Sequence, residues 1–183
     1  MSWIGDIMKK LALRSFLKKA RKFKYPHAGT SLKKAKRIGA IINVTESNPK
    51  DLIALTEFIT SLEKNGKNTV MIELNFQRKA DPMFSEKTNA VFIGRKNVNW
   101  LGLPSRELVK EINGKNLDVL LDFDMTETQT ARFISGFSNA RTRVGLYETE
   151  LERFYELMIE KPKSVQIKPI IEAYEHYLNL LEQ

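Results

Sequence analysis

From Arg37 onward the sequence switches repeatedly between two periodicities, and this alternation restricts the possible folds more than any other feature. Short apolar runs recur at residues 38–44, 69–74, 90–94, 117–123 and 142–147. Each is short, rich in branched side chains and apolar throughout, as in strands covered on both faces. Amphipathic segments lie between them. Asn48-Pro49 opens one, with Leu52, Ile53, Leu55, Phe58, Ile59 and Leu62 on its apolar side and Asn65-Gly66 as its stop. Ser105 caps a short one that runs through Ile112, and another extends from about Glu127 to Phe137. The last opens on Ser164 and carries Val165, Ile167, Ile170, Ile171, Tyr174, Leu178 and Leu181. Residues 151–159 suit either type. Such alternation specifies a mainly parallel sheet, and right-handed crossovers place helices on both its faces. The expected fold is α/β, a three-layer, doubly wound, five-stranded sheet.

The first 36 residues are built differently. Lys9, Lys10, Arg14, Lys18, Lys19, Arg21, Lys22, Lys24, Lys33, Lys34, Lys36 and Arg37 stand there or at the boundary, against Asp6 alone. The chain's net +8 therefore divides into +11 on residues 1–37 and −3 on the rest. Two parts are expected: a basic helical arm, 1–36, and a Rossmann-like α/β domain, 37–183. The arm reads as helix to Lys24 and breaks at Tyr25-Pro26-His27-Ala28-Gly29. Its apolar residues form two stripes: Trp3, Ile4, Ile7, Met8, Leu11, then Leu13, Phe16, Leu17, Ala20, Phe23. At 100° per residue these fall on nearly opposite sides of a straight helix. Such a helix bends near Ala12 or is covered on different sides along its length.

Charge placed this way calls for an anionic partner. The twelve cations are the candidate binding residues, with RNA or the ribosome as the favoured partner. Phe16, Phe23 and Tyr25 then either stack on bases or pack on the domain. An anionic membrane surface is the second expectation, with Trp3, Ile4, Ile7 and Met8 as its apolar cluster. A solvated helix that covers part of the core is the third.

Catalytic features are sparse. With no cysteine and two histidines, thiolate chemistry and a Cys-ligated zinc are excluded. No apolar run approaches the roughly 18–20 residues of a membrane span, and the apolar start at residues 3–8 is too short for a secretory signal. Phosphate loops of the Walker and Gly-x-Gly-x-x-Gly kinds and a Gly-x-Ser-x-Gly elbow are missing. No cofactor or metal is expected, and the cytoplasm is the expected compartment. VLLDFDMTET, residues 119–128, is the one enzyme-like stretch. Asp122 and Asp124 follow an apolar strand in the Asp-x-Asp-x-Thr pattern of haloacid-dehalogenase-like phosphatases. No aspartate follows Asp124, however, and a hard Mg²⁺ site wants further oxygen ligands. The structural reading makes Thr126 and Gln129 a capping box, with Asp124 favoured beside a helix N-terminus. Trp100, in NVNWLG, is expected to pack its loop on the core rather than bind.

The run DVLLDFDMTETQTARFISGFSNARTRVGLYE, followed by FYELMIE and YEHYLNLLE, resembles a bacterial domain-of-unknown-function family of the Bacteroidota. The likeness extends over the lysine-rich start, RIGAIINV and Asn99-Trp100-Leu101-Gly102, and implies no catalytic residues. FISGFSNARTRVG is also distantly similar to the N-terminal, acceptor-side half of heptosyltransferase-type (GT-B) glycosyltransferases. That resemblance implies a Rossmann-like fold. Those enzymes hold the nucleotide-sugar in a second half, so a chain of this extent is expected to be a non-catalytic binding module.

Overall fold

The computed structural model describes residues 3–20, 29–79, 81–84, 89–162 and 166–181. Helix α1 (Trp3–Ala20) precedes β1 (Arg37–Asn43), α2 (Pro49–Lys64), β2 (Asn68–Leu74) and β3 (Ala90–Ile93). Then follow α3 (Arg106–Gly114), β4 (Val119–Asp122), α4 (Gln129–Phe137), β5 (Thr142–Leu146), β6 (Leu157–Ile159) and α5 (Lys168–Leu180). The strands form one parallel sheet in the order β3-β2-β1-β4-β5-β6.

The five expected strands are all present, but the sheet has six. The ambiguous stretch resolves into a 3₁₀ turn, Thr149–Phe154, and the edge strand β6. With three residues on an edge, β6 is too short to show a periodicity of its own. It is held by its register against Val144, Gly145 and Leu146.

Strand alternation divides the core into two faces. Ile38, Ala40, Ile42, Val119 and Leu121 point towards α2 and α5, where Leu55, Ile59, Ile170 and Tyr174 meet them. Ile41, Val70, Ile72 and Leu120 point the other way, onto Leu108 and Ile112 of α3 and Ala131 and Ile134 of α4. Helix α2 begins as the sequence indicates. The Asn48 side chain accepts from the Asp51 amide at 3.0 Å, with Pro49 in the first turn. It stops where Gly66 takes φ +76°. Asp51 in turn accepts from the Ile167 amide at 2.8 Å, joining α2 to the start of α5. The expected Ser164 cap, with Val165, lies outside the described residues.

Helix α1 adds a further layer over α4. Phe16, 1% exposed, sits among Phe133, Phe137 and Phe154 with ring centroids 5.9, 5.8 and 5.0 Å away. Leu13 and Leu17 pack beside it. The opposite side of the helix leaves Ile7 and Leu11 exposed, at 38% and 46%. Phe16 of the second stripe is thus buried on α4, whereas Ile7 and Leu11 of the first are open. The expected helical continuation to Lys24 and the break at Pro26 and His27 lie outside the described residues. Where the chain re-enters, Leu32 and Ala35 are buried in the main core, and Asp118 accepts from the amides of Lys36 and Arg37 at 2.8 and 2.9 Å.

Candidate functional site

In a sheet of this strand order, successive crossovers leave β1 and β4 in opposite directions and open a crevice beyond their carboxyl ends. Asn43 ends β1 there, and Asp122 ends β4. The two acidic residues of VLLDFDMTET therefore stand at the position where this architecture binds ligands.

Both are turned inward. Asp124, 5% exposed, accepts from the amide and hydroxyl of Thr126 at 3.1 and 2.6 Å, and from those of Thr128 at 2.7 and 2.5 Å. These four bonds hold a turn in which Glu127 takes φ +56°, a left-handed conformation that a non-glycine residue adopts only under such constraint. Thr126 donates no cap to α4. Its hydroxyl accepts from the Asn43 side chain at 2.9 Å, tying β1 to the β4 turn. The N-cap of α4 is Thr128, which accepts from the Ala131 amide. The expected capping box on Thr126 and Gln129 is thus displaced by two residues, because Asp124 holds the intervening turn.

Asp122 lies deeper. One carboxylate oxygen accepts from the Asp124 amide at 3.0 Å; the other accepts from Ser135 at 3.0 Å and Tyr155 at 3.1 Å. Its carbonyl accepts from Tyr174 at 2.7 Å. Burial, reinforced by the charge on Asp124, pushes its carboxyl up to about 7. Burial, and then Asp122 itself, also pushes the Tyr155 and Tyr174 hydroxyls well above their ordinary value. The arrangement joins β4 to α4, to the segment before β6 and to α5. It offers a buried proton site with every carboxylate oxygen occupied from within the chain. Among the described residues, no three His, Cys, Asp or Glu side chains gather as a metal site.

The neighbouring strand ends follow the same rule. Glu73, 1% exposed, accepts from the amides of Met83 and Phe84 at 2.8 and 3.1 Å. Acidic strand ends here fasten loops. Ser135, Tyr155 and Tyr174 were not singled out from the sequence. They lie 13, 33 and 52 residues from Asp122, so no local spacing links them. An ion pair was missed for the same reason: buried Arg143, inside the sheet, donates to half-buried Glu156 from Nη2 at 2.5 Å.

Trp100 departs from expectation. It is 69% exposed on a loop held by Asn99, whose side chain accepts from the amides of Leu101 and Leu103 at 2.9 and 3.0 Å. Leu103 packs inward in its place. His176 is exposed on α5 against Tyr177.

The candidate binding cations divide as follows. Lys10, Arg14 and Lys18 are exposed on α1 at four-residue intervals. Lys33, Lys34, Lys36 and Arg37 are exposed where the chain enters β1. Lys9 and Lys19 belong to α1, whereas Arg21, Lys22 and Lys24 lie outside the described residues. Phe16 meets Gly136 and Phe137 at the end of α4. This is the amino edge of the sheet, where β1 also begins, so the latter part of α1 and the 33–37 segment share one end of the molecule.

A family model described as a family of unknown function, DUF6913, matches residues 9–181. No curated protein matches the chain significantly. Among solved structures, a glycosyl transferase family 9 protein from Veillonella parvula DSM 2008 is similar, with 18% identity and a TM-score of 0.53. The likeness covers 80% of this chain and 41% of that one, so the chain spans about two-fifths of that protein's length. It shows a shared α/β fold, in keeping with the glycosyltransferase-like sequence pattern.

Proposed function

The chain belongs to DUF6913, a family of unknown function, and from that premise we propose that it is a non-catalytic α/β module that docks on structured RNA, such as the ribosome, through its basic leader. One observation carries this reading. Phe16 roots α1 in an aromatic cluster, while Lys10, Arg14 and Lys18 line the solvent side of the same helix. Cations held in register on a rigid helix meet a phosphate backbone at lower entropic cost than cations on a loose tail. Lys33, Lys34, Lys36 and Arg37 extend the charge along the same edge. The phosphatase reading of Asp122 and Asp124 draws less support, since Asp124 accepts from Thr126 and Thr128, and Asp122 from Ser135 and Tyr155.

The test is co-sedimentation with purified ribosomes in the cytoplasmic salt range. Association at low salt, release at high salt and loss in a Lys10→Gln/Arg14→Gln/Lys18→Gln variant are expected. Retention by the triple variant equal to that of the wild type overturns the reading.

A specific observation favours a second reading. Ile7 and Leu11 are exposed on the same side of α1 as Arg14 and Lys18. Apolar residues flanked by cations suit the interface of an anionic bilayer. Flotation with anionic liposomes, abolished in Ile7→Ser/Leu11→Ser and accompanied by no ribosome retention, would select it.

A further inference from the structure

The carboxyl edge of the sheet is electrically divided. Beyond β4, β5 and β6 it carries Asp124, Glu127, Glu148, Glu150 and Glu160, with Arg132 and Lys161 already paired to Glu127 and Glu148. Beyond β2 and β3 its character reverses. A cleft of about 430 Å³ opens there, lined by Arg78, Lys79, Arg95 and Lys96 with the amides Gln77 and Asn97. Among the described residues, no carboxylate lines it. All four cations are exposed, and the ion pairs among the described residues involve none of them. We infer that this cleft is a binding site for a small phosphorylated ligand, independent of the leader.

Position, construction and chemistry agree. The cleft lies on the carboxyl side of the sheet, where β2 and β3 end at Leu74 and Ile93, beside the β1/β4 crevice where ligands of this architecture usually bind. Its size is that of small-molecule sites. The wall at the ends of β2 and β3 is fixed. The Asn75 amide donates to the Ile93 carbonyl at 2.9 Å, and the Gly94 amide donates to the Asn97 side-chain oxygen at 2.9 Å. That leaves the amino group of Asn97 as a donor. Arg95, which lines the cleft, donates from Nε to the Phe76 carbonyl at 2.5 Å, a bond that uses neither of its Nη groups. Glu73, the acid beneath, is occupied by the Met83 and Phe84 amides. Two arginines and two lysines lining one concavity suit the several oxygens of a phosphoryl group better than a single carboxylate.

The experiment is a ¹H–¹⁵N NMR titration of the full chain with inorganic pyrophosphate, against sodium chloride of matched ionic strength. Saturable shifts confined to residues 75–79 and 92–97 are expected. Arg78→Gln/Lys96→Gln, two exposed positions that leave the fold intact, should weaken binding about tenfold or more. The Lys10→Gln/Arg14→Gln/Lys18→Gln variant should bind as the wild type does, which separates this site from the docking proposed for α1. Shifts confined to α1, shifts spread over surface lysines in general, no saturation, or equal binding by the Arg78/Lys96 variant would each overturn the inference.

Discussion

Asp122 shows how far a single residue can be read from sequence. Its position at a strand end was legible, but its environment was not. Ser135, Tyr155 and Tyr174 reach it only through the packing of three separate elements. Its raised carboxyl has a consequence of definite sign. The unfolded chain ionises near 3.8, whereas the fold holds the proton to about 7. Stability is therefore undiminished below the lower value, falls between the two and is level above the higher. Denaturant unfolding over this pH range should show the decline, and Asp122→Asn should flatten it, with a gain at alkaline pH. The Ser135 and Tyr155 hydroxyls can turn to suit an amide. A slope unchanged in Asp122→Asn assigns it elsewhere. Gly136 gives a second prediction. A Cβ there would stand 2.3 Å from the Phe16 ring. Gly136→Ala should cost about 1–3 kcal/mol through overpacking and speed trypsin cleavage at Arg14 and Lys18, read by melting and by limited proteolysis.

Among the elements, those with strong periodicity and explicit caps were the legible ones. Asn48-Pro49 and Asn65-Gly66 bound α2, and Ser105 caps α3 by accepting from the Leu108 amide. The errors fell where turn chemistry or tertiary contact decides. Helix α4 starts at Gln129 rather than near Glu127 because Asp124 holds the turn before it. Strand β6 exists because β5 offers it a partner. The displaced cap can be tested: Thr128→Ala should destabilise the protein by about 1 kcal/mol in chemical unfolding. Thr126→Ala should instead loosen the link to Asn43 and leave the α4 cap in place. Helix α1 tests the other extreme. Phe16→Ala removes a ring of a kind whose loss from a core costs about 3–5 kcal/mol, with lifting of α1 off α4 as the chain's way to limit the damage. Amide exchange should then rise along α1 while the sheet stays protected.

At the scale of the whole molecule, the sheet order and the layers follow from the alternation of periodicities, and charge asymmetry marked the leader without its lodging. The latter part of α1 and the cations at the entry to β1 share the amino edge, whereas the cleft between β2 and β3 opens at the carboxyl edge. If the proposed docking holds, ribosome association should fall steeply with salt, by a log–log slope of about one for each phosphate engaged. It should be unaffected by pyrophosphate at levels that fill the cleft.

The lodging of Phe16 against Gly136 has a mechanical meaning. A leader joined to its domain by floppy chain alone would let the body tumble once its tip was caught. Here the grip would pass through an aromatic joint into α4, so whatever seizes the helix also aims the rest of the body. The far rim of the sheet would then face a fixed direction, as a lamp does when held by its handle.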